Sequence, residues 1–137
     1  MSFVLDNSVA LAWCFEDEQT PAVMDLLDRV VEAGAVAPLL WPLEALNGLL
    51  MAERRRRIDA AKRARFAALL RALPIMLDLD TVERAWAQTI RLSEKFTLSI
   101  YDATYLELAE RRRLPLASLD RRLRDAATAA GLEVLGM

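Results

Sequence analysis

Four acids in this sequence stand where a carboxylate serves either as a helix cap or as a metal ligand: Asp6, Glu44, Asp102 and Asp120. Asp6 follows the apolar triplet Phe3-Val4-Leu5, and Asp120 follows Leu116-Ala117-Ser118-Leu119. Each lies where a short strand gives way to a helix, and capping that helix is the simplest role for either. Glu44 is the only charged residue between Pro38 and Glu53, with Asn47 one helical turn further on the same face. An unpaired carboxylate in apolar surroundings is costly or shifts its pKa, and a bound cation relieves that cost. An exposed place at a helix start would need no relief. Asp102 shares an apolar stripe with Tyr105, Leu106 and Ala109, while Glu107 and Glu110 fall toward another face. Ser99 and Asp102 also have the spacing of a capping box.

Each acid alone has a structural explanation, but the set points to chemistry. Carboxylates held close together repel one another and raise each other's pKa values. A divalent cation offsets that repulsion, and hard oxygen ligands suit Mg²⁺ or Mn²⁺. The reaction such a cation serves best is in-line attack on a phosphodiester. The chain contains no histidine. That removes Ser-His-Asp hydrolases, Cys-His proteases, histidine general bases and nearly all zinc enzymes.

Of the 137 residues, 55% are hydrophobic, enough for one core and one domain spanning 1–137. The single cysteine, Cys14, lies in an apolar run, cannot form an intramolecular disulfide, and reads as a small core residue of a cytoplasmic protein. No signal peptide and no membrane span is expected. Net charge is only −2, yet residues 1–53 carry nine acids and one base, so 17 of the 18 bases fall in residues 54–137. Such asymmetry points to an anionic partner, and Arg54, Arg55, Arg56 and Arg57, with Lys62, Arg63 and Arg65, could contact phosphates. Arg111 to Arg113 and Arg121, Arg122 and Arg124 could do the same, unless these are solvated helix faces.

The elements needed to position the acids can be read from apolar spacing and caps. Strands are expected at Phe3-Val4-Leu5, Ala35-Val36-Ala37, Ile75-Met76-Leu77, Leu116 to Leu119 and Val134-Leu135. Helices are expected at Val9 to Phe15, Pro21 to Ala33, Pro42 to Arg56, after Asp59, after Asp80 or Thr81, after Ser99, and from Arg121 to Ala130. Val82, Trp86, Ile90 and Phe96 are expected in the core. About seven helices alternating with four to five short strands predict an α/β fold with a mostly parallel sheet. In such folds a site forms beyond the carboxyl ends of the strands.

Four segments carry a family resemblance: Phe3 to Ala10, Trp41 to Asn47, Ser99 to Tyr105, and Leu116 to Leu123. In this order and spacing the chain resembles PIN-domain nucleases, and closely resembles the VapC toxins of bacterial type II toxin–antitoxin modules. The resemblance implies a PIN-like fold and a Mg²⁺- or Mn²⁺-dependent endoribonuclease whose acids are Asp6, Glu44, Asp102 and Asp120. It makes Ser8 and Asn47 hydrogen-bonding supports of those acids. Ser118 stands where many members have threonine, and Asp125 matches a further acid that some members use. It also implies a homodimer neutralised by a VapB-type antitoxin.

Two other readings share this fold: a non-catalytic nucleic-acid-binding module and a PIN nuclease acting on DNA. A receiver-type phosphoacceptor fits poorly. It needs adjacent acids after the first strand, where Asn7 follows Asp6, and a lysine at a late strand end, where there is none.

Overall fold

A computed structural model describes residues 2–137. Helix and strand alternate along it as β1 (Val4–Leu5), α1 (Asn7–Ala12), a 3-10 turn (Glu16–Glu18), α2 (Pro21–Ala33), β2 (Ala35–Pro38), α3 (Trp41–Arg54) and α4 (Ala60–Ala72). The chain continues through β3 (Ile75–Asp78), α5 (Thr81–Arg84), a π-helical turn (Ala85–Thr89), α6 (Ile90–Phe96), α7 (Ile100–Arg112), β4 (Leu116–Ala117), α8 (Arg121–Ala129) and β5 (Val134–Leu135). The π turn joins α5 and α6 into one rod, so the described residues form seven helical rods around five strands.

All strand pairs are parallel, in the order β3-β2-β1-β4-β5. A parallel sheet must be covered on both faces, and β1 shows how. Phe3 and Leu5 point into one core with Val9, Val23, Leu26, Trp41 and Leu49 from the early helices. Val4 points into the other, with Tyr105, Leu106, Leu108 and Leu123 from α7 and α8. Successive strand residues thus serve opposite layers. The chain leaves β1 toward β2 on one side and returns as β4 on the other, so the sheet changes direction between β1 and β4. That is where parallel sheets open a crevice.

Local signals set most boundaries. Thr20 accepts a hydrogen bond from the Val23 amide at 3.2 Å and Asp59 one from the Lys62 amide at 2.7 Å, capping α2 and α4. Gly34 ends α2 with φ of +79°, and a Cβ there would stand 2.9 Å from the Pro74 carbonyl oxygen, so glycine is required by both backbone and space. The first helix begins at Asn7 and ends at Ala12 rather than running from Val9 to Phe15.

Three expectations are corrected. Val82, Trp86 and Ile90 are exposed rather than core, Trp86 by 83%. The inner face of that rod is built from Thr81, Ala85, Thr89, Leu92 and Phe96, so the apolar stripe lies one residue off the buried one. Glu107 is buried rather than facing away from the core, and Arg111 is not free for phosphate. Arg111 donates to Asp78 at 2.6 and 3.1 Å and to Glu107 at 2.9 Å. Burial pushes the Asp78 carboxyl up, but bonds from Arg111 and Thr81 outweigh it and hold it below the usual range. This bidentate pairing ties the end of β3 to α7, and removing one partner of such a buried pair typically costs about 3–5 kcal/mol.

Candidate metal centre at the sheet switch point

Asp6 leaves β1 at the carboxyl edge of the sheet, its amide donating to the Ala117 carbonyl of β4 at 3.0 Å. It occupies the N-cap position of α1, yet its side chain makes no capping bond. The capping role is therefore set aside for this residue. Its Oδ2 instead accepts hydrogen bonds from Ser8 at 2.6 Å and Ser118 at 2.9 Å. Both serines are fixed in turn. The Leu119 amide donates to the Ser8 hydroxyl at 2.9 Å, and the Asp120 amide donates to the Ser118 hydroxyl at 3.0 Å. One carboxylate is thus aimed by two serines 110 residues apart in sequence, and its Oδ1 is left for another partner.

Asp120 does cap a helix. Its Oδ1 accepts from the Leu123 amide at 3.1 Å at the start of α8, leaving Oδ2 uncommitted to the helix. The observed β4 ends at Ala117, so Asp120 is reached through Ser118 and Leu119 rather than directly from the strand. At the start of α7 the cap is Ser99, which accepts from the Asp102 amide at 3.0 Å. The Asp102 carboxylate lies beside the same Ser99 hydroxyl, which lowers its pKa against the pushes of burial and Asp120. Glu44, half-buried in the first turn of α3, accepts a 2.6 Å hydrogen bond from the Tyr105 hydroxyl of α7.

The electrostatics show that the four acids share one field. Burial is the largest push on the Asp6 carboxyl; Ser8 and Ser118 pull it back, and the charges of Asp102 and Glu44 push it up again, to about 6. Glu44 is raised by burial and by Asp102, against the bond from Tyr105. Asp102 is raised by burial and by Asp120, against a contribution from Ser99. Among the described residues none of the four lies in an ion pair; the salt bridges engage other acids such as Asp17, Glu53 and Asp78.

Mutually repelling carboxylates with no basic partner are the donor set of a hard divalent cation, so the residues fit Mg²⁺ or Mn²⁺. They are not drawn into a closed cage: among the described residues no group of three or more acidic or cysteine side chains is already arranged to grip an ion. Like charges repel, and three of the four are held by other donors: Asp6 by Ser8 and Ser118, Glu44 by Tyr105, and Asp120 by the Leu123 amide. Mg²⁺ tolerates such spacing because it keeps several of its waters.

Other expected positions fare differently. Asn47 is exposed and forms no hydrogen bond to the four acids among the described residues. Asp125 is exposed, faces Arg121 at 4.0 Å, and does not figure among the charges that shift Asp6, Glu44 or Asp102. Arg57 is committed to Asp17 and Glu18 and stacks over Phe15, whereas Arg54, Arg55 and Arg56 are exposed. Arg124 donates to the Ser118 and Leu135 carbonyls at 2.7 and 2.9 Å, stapling the strand ends behind the site. Cys14 is buried, its thiol pushed up to about 11 by burial and by Glu18, so it is core rather than nucleophile. Sequence reasoning alone misses the role of Tyr105. The available signal was one hydroxyl on a stripe of Leu and Ala, since a buried tyrosine needs a polar partner.

No curated protein matches the sequence. Among solved structures, a Pyrobaculum aerophilum protein is similar at 22% identity and a TM-score of 0.68, over 92% of this chain and 84% of that one. Rickettsia felis VapBC2, described as bound to a DNA fragment from their promoter, matches at 12% identity and a TM-score of 0.64, over 98% and 97%. Mycobacterium tuberculosis VapC20, described as a sarcin-ricin loop cleaving toxin, matches at 17% identity and a TM-score of 0.62, over 95% of each chain. At these identities the likeness speaks to the fold alone. The sequence model of one family matches residues 3–129, nearly the whole chain: this protein belongs to the PIN domain family.

Proposed function

We propose that the chain is a Mg²⁺- or Mn²⁺-dependent endoribonuclease, the toxin of a VapBC-type toxin–antitoxin pair. The observation that carries this reading is the set of four acids without a basic partner at the sheet switch point. Asp6, Glu44, Asp102 and Asp120 would hold the cation, which supplies a Lewis acid and offsets charge on the scissile phosphodiester. The protein's own part is positional. Ser8 and Ser118 fix one oxygen of Asp6 and leave the other free. The cap on Asp120 holds that residue at the mouth of α8. With no histidine in the chain, no imidazole takes part in proton transfer. Exposed Arg54, Arg55 and Arg56 are the side chains we assign to flanking phosphates.

The names of two similar structures, VapC20 and VapBC2, support a toxin with an antitoxin partner. So does a surface feature. An apolar groove of about 660 Å³ runs between α3 and α4, lined by residues including Trp41, Leu46, Leu49, Leu70 and Leu77. The same α3 carries Glu44, so a peptide helix in this groove could bring an arginine to the carboxylates in a fork-to-fork pairing.

Purified protein should cleave RNA with Mn²⁺ and stop with EDTA, and single-stranded DNA in a parallel reaction should be cut far more slowly. Expression alone should arrest growth, and co-expression of the small neighbouring gene should restore it. Abundant folded protein that cuts no RNA and leaves growth unchanged would defeat the reading.

The homodimer in this proposal uses the exposed stripe of Val82, Trp86 and Ile90, with Leu79 beside it, of which Leu79 is 80% exposed. Apolar patches of this kind on a folded surface mark interfaces. Trp86→Glu should convert a dimer into a monomer in sedimentation measurements. An unchanged dimer would place the contact elsewhere.

A further inference from the structure

Tyr105 is fully buried, and its ring packs in the core beneath α7 and α8. Its hydroxyl reaches Glu44 on α3, a helix whose buried residues belong to the core on the opposite face of the sheet. Among the described residues this is the only side-chain hydrogen bond between α3 and α7. It falls one helical turn from Asp102, so α7 presents a metal-site acid and the support of a second acid on the same face.

We infer that Tyr105 is a positioning residue for the metal site: its hydroxyl anchors Oε1 of Glu44 and leaves Oε2 directed to the cation. This rests on the nuclease reading above. Glu44 is the only one of the four acids with a long, freely rotating side chain, and ordering such a chain costs about 1.5–2 kcal/mol of rotamer freedom. A charge-assisted bond of 2.6 Å holds it before any cation arrives. The phenol hydroxyl donates and the Glu44 carboxylate accepts, so the bond fixes one carboxylate oxygen and no other.

Tyr105→Phe keeps the ring in the core and removes only the donor. Loss of a partner behind a metal ligand typically weakens metal binding about 10- to 100-fold. Because Glu44 is one of four acids, a loss near the lower end, about 10-fold, is expected when Mn²⁺ affinity is measured by calorimetry. Cleavage by Tyr105→Phe should recover toward the wild-type rate as Mn²⁺ is raised to saturation, which a general packing defect would not do. In a Glu44→Gln background, where the other three acids remain, Tyr105→Phe should cost much less than in wild type.

Equal Mn²⁺ affinity in Tyr105→Phe and wild type would overturn the positioning role while leaving the nuclease intact. So would an undiminished effect in the Glu44→Gln background. Wild-type protein that binds no Mn²⁺ would overturn the nuclease reading and this inference together.

Discussion

Asp102→Asn is expected to lower RNA cleavage by on the order of 10²-fold or more while the protein stays folded. The residue opens α7, but the cap there is Ser99 accepting from the Asp102 backbone amide, which the substitution retains. Its carboxylate forms no ion pair among the described residues, and its charge raises both Asp6 and Glu44. Removing that charge relieves repulsion in the protein and weakens the hold on a divalent cation. Circular dichroism and thermal unfolding should therefore match wild type or improve on it, with cleavage lost. Cleavage at the wild-type rate would remove Asp102 from the site.

Asp6→Asn should make the metal-free protein more stable at neutral pH, and the gain should disappear in acid. The Asp6 carboxyl is raised from 3.8 to about 6, with burial as the main cause. An acid with a raised pKa in the folded state favours folding in its protonated form. Its contribution is fully present below the unfolded value and is lost as pH rises through the folded one. The gap corresponds to about 3 kcal/mol as an upper figure, at ~1.4 kcal/mol per pH unit. Asparagine removes the charge and keeps an oxygen to accept from Ser8 and Ser118. Denaturant unfolding in EDTA should show the variant ahead by up to that amount above pH 7 and level with wild type near pH 4. Added Mn²⁺ should stabilise wild type and leave the variant nearly unmoved. A variant less stable than wild type at every pH would mean that Asp6 serves the fold rather than the metal.

What the sequence revealed about this site and what it hid have different physical origins. Strand ends and helix starts are local, so the places of Asp6, Asp102 and Asp120 could be read from Leu5, Ser99 and the apolar run before Leu119. The alternation of short apolar triplets with helical stretches was enough for a mostly parallel sheet, while the PIN-like fold rested on the resemblance of four segments and the strand order was not legible. Contacts across the fold left no such mark. The bond from Ser118 to Asp6 spans 112 positions and that from Tyr105 to Glu44 spans 61. A hydroxyl on an apolar stripe gives no hint of which carboxylate it will meet. Arg111 looked like any arginine in a basic run, and its lock on Asp78 depends on β3 ending beneath α7. Trp86 was misplaced for a subtler reason. The apolar spacing of Val82, Trp86 and Ile90 is truly helical, but small residues one position away, Ala85 and Thr89, pack closer to α7 and take the inner face. The π turn over Ala85–Thr89 lies in this stretch.

The claim that Asp6, Glu44, Asp102 and Asp120 together hold a divalent cation is tested most directly by anomalous diffraction from crystals soaked in Mn²⁺. The account predicts an anomalous peak at the carboxyl edge of β1 and β4. The peak should lie within direct or one-water reach of Asp6, with Asp102, Asp120 and Glu44 around it, and should be lost in Asp6→Asn. A peak held instead by exposed acids such as Glu16 and Asp17, with nothing at the carboxyl edge of β1 and β4, would contradict it.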